Sequence, residues 1–150
     1  MPASLTSCRA IVATDIPFCS YRTLMLMDAK VVAFAATTNS TRAAGFYTEV
    51  LDLVLRYEDE YALSLESNGV ELRLQKVEQF TPQPFTTLGW QVTNIKGIVD
   101  RLVTQGVILE RYPWLDQDAA GVWHAPSGAQ VAWFKDPDGN LLSVAQYPAG

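Results

Sequence analysis

The sequence predicts an α+β domain built from two tandem βαβββ units. Two segments carry strong hairpin signals, one around Asn68-Gly69 and the other around the turn Asp136 to Gly139. Each hairpin follows an amphipathic helix pattern that begins directly after an asparagine, Asn39 in the first case and Asn94 in the second. Because the same order of elements occurs twice, we infer a repeat.

Composition supports one globular domain and excludes several classes of partner. The chain has 150 residues, of which 49% are hydrophobic and 18% charged, so it can form a sizeable core. The net charge is -5 and the 11 Lys and Arg residues are scattered, which argues against a nucleic-acid surface. No apolar run approaches the roughly 18 residues that cross a bilayer, so we expect no membrane partner.

The two cysteines, Cys8 and Cys19, form neither a disulfide framework nor a Cys-x-x-Cys pattern. This usage is typical of a reducing cytoplasm. Residues 1 to 28 show no helical or strand period and are predicted to be an N-terminal extension of the domain at 29 to 150. We interpret this extension either as sequence upstream of a natural start at Met25 or Met27, or as a loosely ordered tail.

The first unit spans about residues 30 to 80. The pattern predicts a strand from Val31 to Thr38, then a helix capped by Asn39. Asp52 occupies the stop position, and Leu53 to Glu58 gives an edge-like strand before the hairpin. The apolar helix face recurs at the i, i+3, i+4, i+7 spacing and consists of Ala43, Phe46, Tyr47, Val50, Leu51 and Val54.

The second unit spans about residues 85 to 147, after a stiff linker at Pro82 to Pro84. A strand is predicted from Thr87 to Thr93, followed by the Asn94 cap and a helix that stops at Gly106. Val107 to Tyr112 is predicted to start another strand. The apolar face of this helix consists of Ile95, Ile98, Val99 and Leu102. The additional length of the second unit lies in Pro113 to Gln130, which is interpreted as a loop insertion.

Two segments resemble a known superfamily. Gly45 to Leu53 resembles the helix of the vicinal-oxygen-chelate proteins, and Trp133 to Leu142 resembles their closing hairpin. This superfamily includes glyoxalase I, extradiol dioxygenases and the bleomycin-resistance proteins. The resemblance covers about residues 30 to 147. It implies that each unit curls its sheet into a half-barrel, that the concave faces enclose a cavity for a small molecule with the helices outside, and that the protein is a homodimer.

The resemblance also implies four metal-ligand positions, on the first and last strands of each unit, where the superfamily's enzymes use His, Glu or Gln. The matching positions here are Val32, Arg73, Thr87 and Ser143. Arg73 is a permanent cation without a lone pair to offer. We therefore expect no metal and no other cofactor.

Strand alternation indicates which side chains face the cavity. The apolar set of Val70, Leu72, Leu74, Leu88, Trp90 and Val92 should pack under the helices. This leaves the following candidates to line the groove: Phe34, Glu71, Arg73, Gln91 and Ser143. Alternatively, Glu71 and Arg73 form an ion pair on a solvated sheet face. Trp114, Trp123 and Trp133 are either core residues or a stacking surface for an aromatic or cationic ligand.

Two classes of function follow. The first is a metal-free small-molecule-binding protein of the glyoxalase/bleomycin-resistance type that sequesters an aromatic or cationic compound. The alternative is a lyase, isomerase or dioxygenase of the same fold, in which acid–base chemistry would depend on Glu71 or on His124, the only histidine. A surface or pocket-rim position is the default for His124. A small regulatory or partner-binding domain is a third, weaker possibility.

Overall fold

The computed structural model describes residues 26–150. Most of the extension predicted for residues 1 to 28 therefore lies outside the described residues, although Leu26–Asp28 forms a short 3-10 turn. The compact unit discussed below comprises Val32–Gly150.

The first sheet is built by residues of the first predicted unit. Its strands are β1 (Val32–Thr37), β2 (Val54–Glu58), β3 (Ala62–Ser67) and β4 (Val70–Lys76), in the order β1-β4-β3-β2. β1 runs parallel to β4, and the other pairs are antiparallel. Helix α1 (Ser40–Gly45) connects β1 to β2 and continues as a π-helical segment, Phe46–Val50.

The second sheet repeats this arrangement. Its strands are β5 (Leu88–Gln91), β6 (Trp123–His124), β7 (Gln130–Lys135) and β8 (Leu141–Gln146), in the order β5-β8-β7-β6. Helix α2 (Ile95–Thr104) follows β5, which is parallel to β8. The predicted α+β class and its two βαβββ units are confirmed.

Local interactions fix the start of both helices and the end of the first one, as the sequence predicted. The side-chain oxygen of Asn39 accepts a hydrogen bond from the Arg42 N–H at 3.0 Å, and that of Asn94 accepts one from Gly97 at 3.0 Å. Asp52 ends the first helix with a φ of 57°, in the left-handed region that glycine usually occupies at this position.

The strand predicted at Val107 to Tyr112 is wrong. This segment makes only an isolated bridge, between Leu109 and Phe134, and β6 inside the predicted insertion forms the outer strand instead. The reason is that one side chain makes the backbone hydrogen bonds that a neighbouring strand would otherwise make. The amide of Gln117 accepts from the Tyr112 N–H at 2.8 Å and donates to the Glu110 carbonyl at 3.0 Å.

Both units contribute to one apolar core. Leu72, Leu74, Leu88, Trp90 and Val92 pack in it or against it, as alternation predicted. Val70, which was predicted to pack with them, is instead 42% exposed because it follows the Asn68-Gly69 turn directly. The largest fully buried side chains come from both units and include Tyr47, Leu63, Leu65, Leu74, Phe134 and Leu142.

The closing hairpin of the second unit docks on the first unit through buried polar groups. The Tyr47 hydroxyl donates to Asp136 at 2.8 Å, and the Asn140 amide donates to the Ala36 carbonyl at 2.8 Å. The Thr37 hydroxyl donates to Asp138 at 2.6 Å. Burial raises the pKa of both Tyr47 and Asp136 above their ordinary values. A polar network thus fixes the units relative to each other.

Candidate functional site

One face of the first sheet carries a polar cluster around Arg73. Its guanidinium donates to the Tyr57 hydroxyl at 2.6 Å and lies 3.4 Å from carboxylate oxygens of Asp59 and Glu71. The Ser64 hydroxyl donates to Glu71 at 2.7 Å. We call these five residues the Arg73 cluster.

The Arg73 cluster carries two carboxylates for one guanidinium. Hydrogen bonds from the backbone N–H groups of Tyr61 and Ala62 lower the pKa of Asp59. Burial alone would lower the pKa of Arg73, but Tyr57 and the two carboxylates outweigh it and raise that pKa. With two carboxylates and one guanidinium, the cluster has a formal charge of -1.

An apolar side chain borders this cluster. Phe34 lies opposite Arg73 in the β1–β4 register and is 52% exposed, so its ring is available to a ligand. Val32 lies opposite Glu71 in the same register. The predicted residues Phe34, Glu71 and Arg73 are thus brought together on one sheet face.

The second sheet carries an aromatic cluster. The rings of Trp123 and Trp133 lie 6.1 Å apart, and Tyr112 contacts Trp133 at 5.5 Å with nearly perpendicular planes. Tyr112 also contacts Trp114 at 5.2 Å with a tilt of 34°. The Trp133 indole N–H donates to the Thr86 hydroxyl at 3.1 Å, which fixes that ring. These four rings are the aromatic cluster.

Ser143 lies under the aromatic cluster. It pairs with Trp133 on one side and with Gly89 on the other, so the three residues share a face. A Cβ at Gly89 would lie only 2.7 Å from the Ser143 hydroxyl oxygen, so the glycine permits this close packing. Ser143 is 8% exposed and forms the floor of the face rather than its rim.

The remaining predicted residues lie apart. Gln91 ends β5 and borders a pocket between the units. His124 follows Trp123 in β6 and therefore points to the other face of the strand, where it lies 2.9 Å from Asp118. This contact lowers the pKa of Asp118. His124 is thus an exposed residue outside both clusters.

Sequence reasoning missed Tyr57, Asp59, Ser64, Thr86 and Tyr112. A register shift between Leu55 and Tyr57 places Tyr57 opposite Ser64, and simple alternation along β2 does not reveal it. The alternation of β3 could have found Ser64. Tyr112 was assigned to a strand that does not form.

The four positions matched to metal ligands do not suit a metal. On the first strands, Val32 lies opposite Glu71 and Gly89 lies opposite Ser143. Neither Val32 nor Gly89 has a side-chain atom that could bind a metal. Arg73 would repel a cation. Among residues 26–150, no group of three or more His, Cys, Asp or Glu side chains is arranged to hold a metal ion.

Comparison with solved structures decides the fold. A protein assigned to the glyoxalase family from Bacillus anthracis superposes with a TM-score of 0.66 at 16% identity, over 81% of this chain and 97% of that one. The genomically encoded fosfomycin resistance protein of Listeria monocytogenes superposes with a TM-score of 0.65 at 9% identity, over 81% of this chain and 95% of that one. A lactoylglutathione lyase from Agrobacterium tumefaciens superposes with a TM-score of 0.60 at 16% identity, over 79% of this chain and 93% of that one.

The chain has the vicinal-oxygen-chelate fold. No protein-family model matches the sequence, and no curated protein is significantly similar to it. In the vicinal-oxygen-chelate fold of this chain, the Arg73 cluster and the aromatic cluster occupy different sheets. The aromatic cluster offers stacking surface, and the Arg73 cluster offers hydrogen-bonding groups. In the part of the chain that the structure describes, no helix is long and apolar enough to cross a membrane.

Proposed function

We propose that the protein is a metal-free small-molecule-binding protein that sequesters a planar aromatic or cationic compound. The observation that carries this proposal is the aromatic cluster, in which Trp114 is 76% exposed although it contacts Tyr112. A large exposed indole in contact with another ring is suited to stack on a planar ligand. A cationic ligand would gain further from the electron-rich ring faces.

The charge distribution supports the same ligand class. The Arg73 cluster is negative by one charge, and the whole chain carries -5. An acidic surface attracts cations and increases their local concentration. A neutral aromatic ligand with a carbonyl group would instead use the N–H groups of Arg73 as donors.

We further propose a homodimer in which a second copy covers the open sheet faces. All five residues of β2 are exposed, including Tyr57 at 48%, and Phe34 on the same sheet is 52% exposed. Apolar area of this kind is typical of an interface. A dimer that places the first sheet of one copy against the second sheet of the other would bring the two clusters to one cavity. We place this dimer in the cytoplasm.

Catalysis is the alternative, as a lyase, isomerase or dioxygenase of the same fold. It would depend on Glu71, which accepts from Ser64 within the Arg73 cluster, or on His124, which points away from the aromatic cluster. Within a single chain these groups lie on different sheets. We favour binding because His124 points away from the aromatic cluster and Glu71 already accepts hydrogen bonds from Ser64 and Arg73.

A titration with two probes tests the proposal. Proflavine is a planar aromatic cation, and lumichrome is a neutral planar molecule with carbonyl acceptors. Trp114→Ala should weaken the binding of proflavine by about tenfold, since stacking and cation–π contacts are worth about 1–2 kcal/mol. Phe85→Ala is the matched control because Phe85 is 59% exposed and lies outside the aromatic cluster. Equal affinities of wild type and Trp114→Ala for both probes would refute the proposed site.

A further inference from the structure

The pocket beside Gln91 lies between the two βαβββ units, on the apolar side of the sheets. Its volume is about 340 Å³, which is at the lower end of the range for small-molecule sites. The end of the first helix, strand β5 and helix α2 surround it. The strands that carry the aromatic cluster expose their other face here, because Val144 and Ser143 alternate along β8.

The floor of the pocket is apolar and rigid. Phe134, Leu102 and Val144 contribute to it, with exposures of 0%, 3% and 4%. An ion placed on such a floor would lose its hydration without gaining a partner. The part of a ligand that reaches the floor must therefore be uncharged.

One wall is formed by the unusual end of the first helix. The five consecutive residues Val50 to Val54 all border the pocket. They follow the π-helical turn at Phe46–Val50, and the Leu53 N–H donates to the Tyr47 carbonyl at 2.9 Å across the left-handed Asp52. This turn therefore supplies one wall of the pocket.

The opposite wall is Trp90. Its indole N–H donates to the Ser67 hydroxyl at 3.0 Å, so its polar atom has a partner and the ring faces the cavity. A flat, fixed ring beside an apolar floor selects a flat ligand.

The rim has charges that already have partners and amides that are exposed. Arg101 pairs with Asp52 at 2.6 Å, and Glu66 accepts from Arg56 at 2.7 Å. The side-chain amides of Asn68 and Gln91 stand at the same rim and are exposed to solvent. An amide can either donate or accept, so it suits a neutral polar group.

We propose that this pocket binds a neutral one- or two-ring aromatic molecule that carries a single hydrogen-bonding group. The ring lies between Trp90 and the wide helical turn, with its apolar edge toward Val92 and Ile98. The polar group remains at the rim, within reach of Gln91 or Asn68. This site is separate from the Arg73 cluster and the aromatic cluster and does not depend on the proposed function.

Indole is the test probe, observed by NMR of the full-length protein with labelled isoleucine and valine methyl groups. Ile98 borders the pocket, whereas Ile108 is 83% exposed and lies outside it. Indole should shift the Ile98 methyl signal in a saturable way and leave Ile108 unchanged. Intermolecular NOEs from indole protons to the Ile98 and Val92 methyl groups should place the ring in the pocket.

Two variants then separate this site from other apolar surface. Val92→Phe fills the pocket and should weaken indole by at least about tenfold, because a filled cavity has no room for the ring. Val103→Phe is the matched control, since Val103 lies on α2 and is 53% exposed outside the pocket. Indole-3-carboxylate should bind at least about tenfold more weakly than indole, because its charge would lie either on the apolar floor or at a rim where the arginines already have carboxylate partners.

Three results would overturn the proposal. One is no saturable Ile98 shift up to the solubility limit of indole. Another is NOEs only to methyl groups outside the pocket. The third is equal binding by wild type and a folded Val92→Phe protein. If Val92→Phe does not fold, the NOE pattern of the wild type decides alone.

Discussion

The Tyr47 hydroxyl and the Asp136 carboxylate form a hydrogen bond of 2.8 Å in the interior between the two units. Tyr47 comes from the first helix and Asp136 from the closing hairpin, so the two segments that resemble the superfamily contact each other directly. Asp136 also accepts from the Asn140 amide at 2.7 Å. A buried carboxylate is tolerated here because several donors compensate for its lost hydration.

Tyr47→Phe tests the strength of this contact. The change leaves the aromatic packing but removes the donor, and we expect the free energy of unfolding to fall by about 1–3 kcal/mol. Urea denaturation measures it. Tyr61→Phe is the control, since Tyr61 is 69% exposed and should change stability little. Equal stability of Tyr47→Phe and wild type would show that the hydrogen bond contributes nothing net.

Asp138→Asn should change how stability depends on pH. Burial tends to raise the pKa of Asp138, but hydrogen bonds from Thr37 and Thr38 outweigh it, and the folded pKa lies below its ordinary value. The ionised carboxylate thus contributes stability that is fully present above the ordinary pKa and is lost as pH falls through the folded pKa.

The stability advantage of wild type over Asp138→Asn should therefore be constant near neutral pH. It should shrink as the pH falls below the ordinary carboxyl pKa. Urea denaturation of both proteins across this acidic range measures the difference. An advantage that grows on acidification would contradict the assigned direction of the pKa shift.

Metal content is a direct test of the binding-protein proposal. Because Val32, Arg73, Thr87 and Ser143 supply no ligand set, the purified protein should contain no stoichiometric zinc, iron, nickel or manganese. A chelator should not lower its melting temperature. Elemental analysis that finds about one metal per chain, lost on chelation, would favour a metalloenzyme instead.

Arg73→Ala tests whether the Arg73 cluster belongs to the ligand site. Lumichrome should bind at least about fivefold more weakly, because its carbonyl groups would lose the guanidinium donors. Proflavine should not be weakened, since the change leaves Asp59 and Glu71 without a counter-ion. Arg56→Ala is the control, because Arg56 is an exposed arginine that pairs with Glu66 on the same sheet.

The melting temperature of Arg73→Ala without ligand should change little, since water solvates the exposed carboxylates. Equal lumichrome affinities of wild type and Arg73→Ala would remove the first sheet from the site.

The sequence was sufficient where the determining interactions are local. The Asn39 and Asn94 caps and the left-handed Asp52 are each decided by a few neighbouring residues, and all were predicted. The outer strand of the second sheet was not predicted, because Gln117 makes hydrogen bonds to the backbone of Glu110 and Tyr112 from several residues away.

The candidate site was only partly predictable for a related reason. Phe34, Glu71 and Arg73 could be grouped by alternation along two strands. Tyr57 and Tyr112 join the clusters through a bulge and an irregular loop, respectively. Neither has a periodic signal in the sequence.

The bulge at Arg56 also has a consequence for self-association. β2 is an edge strand, and an exposed regular edge can add strands of other molecules and seed aggregates. Here the bulge breaks the hydrogen-bonding pattern in the middle of a five-residue strand, and Arg56 and Glu58 add charges of both signs. Sheet extension along this edge is disfavoured, so two copies of the chain should meet through their sheet faces and remain soluble at high concentration.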